Sequence, residues 1–189
     1  MGCLSNQTTS TSNKIGQNGY RQTLPRDLTR RSYPGFMLKP EDPAPDFSLL
    51  DQNGETVNLS DFAGRKLLVY FYPEADTPGC TTQSCAVRDA REDLSSLGVD
   101  VVGISPDEPE KQARFDQKFG LGFPLLADTD RAVAEAYDVW GEKVNYGKKY
   151  MGIIRSSFLI GEDGHIEQAW YKVSPKDTVP NAQKALAGG

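Results

Sequence analysis

The residues best suited to chemistry lie within one short segment, residues 73–85. Two prolines and a glycine restrict its loop, and we predict that a helix begins at about Cys80. A thiol in the first turn of a helix faces unpaired N–H groups and the positive end of the helix dipole, which stabilise its thiolate. Thr77 lies three residues earlier, within predicted reach of the sulfur. The segment therefore suits a nucleophilic thiolate or, equally, a buried structural cysteine with Thr77 as the N-cap.

A second thiol, Cys85, follows five residues after Cys80. On a continuous helix their Cα atoms would be about 8–9 Å apart, beyond the ~7 Å limit for a disulfide. The two cysteines can therefore bridge only if the start of the helix unwinds; otherwise Cys85 is an ordinary small helix residue. Their spacing matches neither the C-x-x-C of thiol–disulfide oxidoreductases nor a zinc knuckle.

Composition excludes several classes of protein. The chain has 189 residues, a net charge of −5, three cysteines and one histidine. The acidic balance argues against nucleic acid as a partner, and no apolar run approaches the ~18 residues of a membrane span. Three cysteines are too few for a disulfide scaffold. His165 is the one histidine and falls in a predicted turn, so a histidine dyad or a multi-histidine metal site would have to be built on that residue. We expect no metal and no cofactor.

Charge and composition divide the chain near residue 40. Residues 1–40 carry six basic residues and one acidic residue, and the first 32 are rich in Ser, Thr, Asn, Gln and Gly. We predict a basic, disordered extension over residues 1–39 and one folded domain over residues 40–189. The extension also fits an organelle transit peptide. A lipid anchor at Gly2 and Cys3 is disfavoured, because Asn6 stands where the myristoylation pattern requires Ser or Thr.

The elements that must position the cysteines alternate along the chain. Residues 46–50 and 56–59 flank Asn53-Gly54, which is typical of a β-hairpin. The apolar run 67–72 predicts a strand buried on both faces, which leads into a helix over residues 80–97. The apolar face of that helix is predicted to comprise Val87, Ala90, Leu94 and Leu97.

Further strands are predicted at residues 99–104, 123–126, 156–160 and 165–171, and helices at 107–119, 131–137 and 179–187. The helix at 107–119 is expected to open with a capping box of Asp107 and Glu110. Trp140, Tyr146 and Tyr150 are assigned to a loop. The order predicts an α/β protein with a thioredoxin-like fold, a central mixed sheet flanked by helices and an N-terminal β-hairpin. Ligands of such sheets bind at the carboxyl ends of strands, which places the site beyond Tyr72.

The motif Pro73-x-x-x-Thr77-x-x-Cys80 resembles the active-site signature of peroxiredoxins. The second cysteine, five residues on, resembles the bacterioferritin-comigratory-protein or Q-type branch of that family. The resemblance extends over nearly all of residues 40–187 and includes Arg155 ahead of an apolar strand.

The resemblance implies a role for each of these residues. Cys80 resembles the peroxidatic cysteine, and Cys85 resembles the resolving cysteine of the same chain. Thr77 resembles the hydroxyl that orients the peroxide, and Pro73 the residue that shields the site from water. Arg155 resembles the guanidinium that holds the thiolate and stabilises the transition state.

These roles imply a thiol-specific peroxidase for hydrogen peroxide and organic hydroperoxides. The Cys80 sulfenic acid would form an intramolecular disulfide with Cys85, which thioredoxin or a similar dithiol would reduce. Resolution within one chain favours a monomer, and the thiol cycle favours the cytoplasm; an organelle is the alternative if residues 1–39 are a transit peptide. The alternative function is a redox-sensing switch or holdase on the same scaffold.

Overall fold

A computed structural model describes residues 37–145 and 147–188 of the chain. The predicted extension, residues 1–39, lies almost wholly outside the described residues, as do Cys3 and Tyr146. The contacts of the folded domain reach back to Leu38, whose backbone N–H donates to the hydroxyl of Tyr171 over 2.8 Å. The domain boundary at residue 40 stays a prediction.

The described residues form nine strands and four α-helices. The strands are β1 (Ser48–Leu50), β2 (Thr56–Asn58), β3 (Lys66–Phe71), β4 (Val99–Ser105), β5 (Leu125–Ala127), β6 (Trp140–Asn145), β7 (Lys148–Ile153), β8 (Ser156–Ile160) and β9 (Ile166–Trp170). The helices are α1 (Pro78–Ser96), α2 (Pro109–Phe119), α3 (Ala132–Ala136) and α4 (Thr178–Ala187). Within these residues, no helix is both long and apolar enough to cross a membrane.

Seven strands form one mixed sheet in the order β2-β1-β5-β4-β3-β8-β9. Strands β3, β4 and β5 are parallel, and β8 and β9 add an antiparallel edge beside β3. The N-terminal hairpin β1–β2 turns through Gly54, whose φ of +79° suits a residue without a Cβ. The predicted mixed sheet, its flanking helices and its N-terminal hairpin are confirmed.

Strand β3 is the centre of the core, because both of its faces are buried. Its alternate side chains enter two apolar layers. The layer under α1, α2 and α4 receives Leu68 and Tyr70, followed by Tyr72, while the layer under α3 receives Leu67, Val69 and Phe71. The six-residue apolar run is therefore explained by burial on both faces of one strand.

Two predictions about helix ends are wrong. Leu97 is 58% exposed, because α1 ends at Ser96 and Gly98, with a φ of +73°, turns the chain away. The N-cap of α2 is Glu108, and its side chain makes no capping hydrogen bond. The carboxylate of Asp107 instead accepts hydrogen bonds from Ala75 and Ser105, so it serves the loop before α1.

The loop predicted around Trp140 and Tyr150 is also wrong, since these residues lie in the antiparallel hairpin β6–β7. Within residues 37–145 and 147–188, this ribbon pairs with no strand of the main sheet. Much of it is exposed, including Val144, Tyr150 and Met151. Because the ribbon is largely solvated, its sequence lacks the apolar alternation that marks a half-buried strand.

Candidate active site

The site begins where the buried strand β3 delivers the chain into the start of α1. Thr77 is the N-cap of the helix and Pro78 its first residue, a position where the missing N–H of proline costs nothing. The first hydrogen bond of the helix runs from the Thr81 N–H to the Thr77 carbonyl oxygen, over 2.8 Å. The N–H groups of Gly79 and Cys80 precede that bond, so they have no partner within the helix.

Cys80 lies in this first turn and is almost fully buried, with 1% of its surface exposed. The unpaired N–H groups and the helix dipole favour a negative charge at this position. Burial protects the sulfur from bulk solvent, so groups that stabilise its thiolate must come from the protein. The structure supplies such a group from a distant part of the chain.

That group is the guanidinium of Arg155, whose Nη2 donates to Cys80 Sγ over 3.3 Å. Arg155 lies immediately before β8, and β8 runs antiparallel to β3. The first residue of β8, Ser156, pairs with Phe71, the last residue of β3. The sheet register therefore brings the residue before β8 to the edge at which the chain leaves β3 for α1.

Two buried polar side chains hold the guanidinium in place. Arg155 donates through Nη1 to the Gln83 side-chain oxygen, and Gln83 Nε2 donates to the hydroxyl of Thr178 over 2.8 Å. Gly79 leaves room for this arrangement, because a Cβ there would lie 3.3 Å from Arg155 Nη2 and 3.4 Å from Pro175 Cγ. Residues of α1, α4 and the turn before β8 thus orient one donor toward the sulfur.

The loop before α1 is tied to α2 along its length. The Ala75 N–H donates to Asp107 over 2.7 Å. Lys111 bridges Asp107 and Glu74, each at 2.7 Å. Further along the loop, Asp76 forms an ion pair of 2.8 Å with Lys118. These contacts fix the approach to the helix N-terminus.

The other predicted residues lie in the segments on either side of Cys80, which are the loop before α1 and α1 itself. The Thr77 hydroxyl donates to the Glu74 carbonyl oxygen over 2.9 Å, so its proton is committed and its oxygen is left to accept. Pro73 is half-buried beside the end of β3. Cys85 is a half-buried free thiol in α1, as Cys80 is a buried one. Because Cys80 and Cys85 lie on one continuous helix, the helix keeps the two free thiols apart in this structure.

Sequence reasoning missed Gln83 and Asp107. The spacing contains a signal for Gln83: Cys80, Gln83, Val87 and then Ala90 and Leu94 recur at intervals of three and four, and all are buried. A polar residue on such a stripe requires a partner. No comparable signal marks the role of Asp107 at the site, since its contact with the Ala75 N–H joins residues 32 positions apart in the chain.

His165 is exposed and pairs with Asp163, with 3.3 Å between Nδ1 and Oδ2. Within residues 37–145 and 147–188, no group of three or more His, Cys, Asp or Glu side chains is placed to hold a metal ion. The described arrangement places a buried thiol beside a fixed cation and backbone N–H donors. It suits attack on a substrate whose leaving atom gains negative charge.

Comparison with known proteins finds one matching family and relatives that share one name. Residues 40–169 match the model of the AhpC/TSA family. "Peroxiredoxin Bcp" of Escherichia coli K12 is 57% identical over 133 residues, which cover 70% of this chain and 85% of the relative. "Peroxiredoxin Bcp" of Bacillus subtilis 168 is 48% identical over 143 residues, covering 76% and 91%.

Solved structures extend the comparison to the fold. Xanthomonas campestris peroxiredoxin Q aligns with a TM-score of 0.71 and 36% identity, covering 75% of this chain and 90% of that one. A mutant of Xylella fastidiosa PrxQ aligns with a TM-score of 0.74 and 31% identity, covering 81% and 99%. The thioredoxin-like fold expected from the sequence is therefore confirmed.

Proposed function

The chain belongs to the AhpC/TSA family, as a peroxiredoxin of the bacterioferritin-comigratory-protein or Q-type branch, and we propose that Cys80 is its peroxidatic thiol. The observation that carries the proposal is the contact of 3.3 Å between Arg155 Nη2 and Cys80 Sγ at the start of α1. A cation and helix N–H donors at one buried sulfur stabilise its thiolate, which is the nucleophilic form.

In the first step the Cys80 thiolate attacks one oxygen of a hydroperoxide. The S–O bond forms as the O–O bond breaks, and the leaving alkoxide or hydroxide takes a proton from the solvent to become an alcohol or water. Arg155 and the N–H groups at the helix start stabilise the charge that moves onto the leaving oxygen. Because the Thr77 hydroxyl donates to the Glu74 carbonyl oxygen, the Thr77 oxygen is suited to accept a hydrogen bond from the O–H of the incoming hydroperoxide.

The second step joins the two cysteines of α1. The Cys85 sulfur attacks the sulfur of the Cys80 sulfenic acid, so that an S–S bond forms, the S–O bond breaks and water leaves. The first turns of α1 must unwind for this step, because an intact helix keeps the two cysteines too far apart. Thioredoxin or a similar dithiol then reduces the disulfide by exchange and restores both thiols.

The proposal also covers the substrate class and the state and location of the protein. We include organic hydroperoxides as substrates, a choice supported by the alkyl peroxide reduction described for Xanthomonas campestris bacterioferritin comigratory protein, which is 35% identical with a TM-score of 0.71. We also propose a monomer in a reducing compartment such as the cytoplasm, since resolution by Cys85 requires no second chain and the recycling dithiol must stay reduced.

Peroxide consumption in the presence of thioredoxin, thioredoxin reductase and NADPH tests the proposal. Cys80→Ser should abolish turnover. Cys85→Ser should retain one stoichiometric oxidation of Cys80 and lose the thioredoxin-dependent cycle. If the wild-type chain consumes peroxide no faster than a free thiol, the peroxidase proposal fails, and a redox switch or holdase on this scaffold becomes the hypothesis to test.

A further inference from the structure

We infer that Ser84 is a positioning residue, whose hydrogen bond to Tyr70 holds the start of α1 wound and so restrains formation of the Cys80–Cys85 disulfide. The inference rests on the proposed function and assigns a role to a residue that takes no part in the attack on peroxide. It concerns the step between the sulfenic acid and the disulfide, where the helix must open.

The contact lies deep in the protein. Ser84 Oγ and Tyr70 Oη are 2.9 Å apart, and both residues have no exposed surface. The Tyr70 ring extends from β3 beneath α1, and its hydroxyl fits over Gly103, where a Cβ would lie only 2.7 Å from Oη. Burial raises the pKa of Tyr70 well above its usual value, so the hydroxyl stays neutral at physiological pH. The hydroxyl is thus confined between β4 and the inner face of α1.

Ser84 lies between the two cysteines, one turn after Cys80 and one residue before Cys85. Any unwinding that brings the two sulfurs together therefore passes through Ser84 and withdraws its hydroxyl from Tyr70. The other buried polar contacts of this turn involve the reactive sulfur, because Arg155 contacts Cys80 directly and Gln83 orients Arg155. The Ser84–Tyr70 bond involves neither Arg155 nor the sulfur, so it stabilises the wound helix separately from the chemistry.

Whether Ser84→Ala speeds or slows disulfide formation distinguishes this role from that of an ordinary helix residue. Serine is a weaker helix former than alanine, so Ser84→Ala would slow unwinding if only local helix stability mattered. If the bond restrains the helix, the same change leaves the buried Tyr70 hydroxyl unpaired in the wound state and favours opening. An unpaired buried hydroxyl is costly enough to predict disulfide formation about five- to tenfold faster.

The test is a rapid-quench experiment on the reduced full-length chain with one equivalent of hydrogen peroxide. Acid quenching, thiol alkylation and mass spectrometry of the peptide that carries both cysteines separate Cys80 sulfenic acid from the disulfide. We expect Ser84→Ala to form sulfenic acid at the wild-type rate and disulfide about five- to tenfold faster. With excess peroxide it should also accumulate less Cys80 sulfinic acid, because resolution competes with a second oxidation.

Two controls isolate the hydrogen bond. Thr82→Ala removes an exposed hydroxyl from the same turns, one that donates to the Pro78 carbonyl oxygen within its own helix, and should not accelerate the disulfide step. Tyr70→Phe combined with Ser84→Ala removes both partners, so no hydroxyl is left unpaired and the rate should return toward that of the wild type.

The outcomes separate this inference from the proposed function. If wild-type Cys80 is not oxidised by peroxide, the proposed function fails, whereas amide hydrogen exchange of residues 79–87 in the reduced variants still reports whether Ser84 holds the helix start. Faster exchange in Ser84→Ala than in Thr82→Ala supports the restraint. If Cys80 is oxidised normally and Ser84→Ala resolves no faster than wild type, the inference is overturned.

Discussion

Arg155 Nη2 lies 3.3 Å from the sulfur of Cys80, although 75 residues separate the two along the chain. The contact follows from the pairing of β8 with β3, which aligns the residue before one strand with the end of the other. Around it, Gln83 and Thr178 fix the guanidinium, and Asp107 fixes the loop that precedes the helix.

Replacing Arg155 by Met should slow oxidation of Cys80 by hydrogen peroxide about 10²–10³-fold, the usual effect of removing one preorganised donor from a developing charge. Stopped-flow measurement of the second-order rate constant in a Cys85→Ser background reads this step alone. Arg131→Met is the matched control, because Arg131 stacks over Trp140 rather than contacting the site. An equal loss in both variants would mean that the effect is not specific to the sulfur.

Gln83→Leu should slow the same oxidation step by roughly tenfold, because Arg155 loses the acceptor that orients it. Gln83→Glu retains that acceptor and should stay within about threefold of wild type. The comparison uses the rate constant for peroxide together with the melting temperature of each variant. If the two variants lose activity equally at similar melting temperature, Gln83 does not act by positioning Arg155.

Asp107→Ala should lower the free energy of unfolding by about 2–3 kcal/mol, because the Ala75 N–H and the Ser105 hydroxyl both lose their acceptor at a site where the Asp107 side chain is only 9% exposed. Lys118→Met, which breaks the exposed ion pair with Asp76, should cost less than about 1 kcal/mol. Urea unfolding measures both. Similar losses would mean that the buried carboxylate is no more important than the surface pair.

Stability should decline at alkaline pH as Tyr171 ionises on unfolding. Burial raises the pKa of Tyr171 from 10.0 to about 12. Its contribution to stability is therefore complete below pH 10 and is lost as the pH rises through about 12, since the unfolded chain releases the proton first. Urea unfolding between pH 9 and 11.5 should show a shallower decline in Tyr171→Phe than in wild type, by less than about 1.4 kcal/mol per pH unit for a half-buried ring. An equal decline in the free energy of unfolding with pH for the wild type and Tyr171→Phe would contradict this contribution of Tyr171.

Local patterns in the sequence predicted much of the fold and the reactive segment. The apolar run ending at Tyr72, the Asn53-Gly54 turn and the spacing of Val87, Ala90 and Leu94 predicted elements that the structure contains. These signals are local, because strand burial, turn conformation and a helix face each depend on residues close together in the chain. The same patterns failed at Leu97 and in the exposed β6–β7 ribbon, where burial does not follow local order.

The amino-acid sequence by itself determined that a thiol lies at the start of a helix that follows a buried strand. It also determined that an intact helix keeps the second thiol too far from the first for a disulfide. The resemblance to the family motif indicated that Arg155 belongs to the site, but no local pattern in the sequence indicates which residues contact it. Only the tertiary structure decided that Arg155 and Cys80 meet, that Gln83 connects them to Thr178, and that Ser84 lies against Tyr70. The physical reason is that these contacts join separate elements. Sheet register and helix packing create them, and both are properties of the whole folded chain.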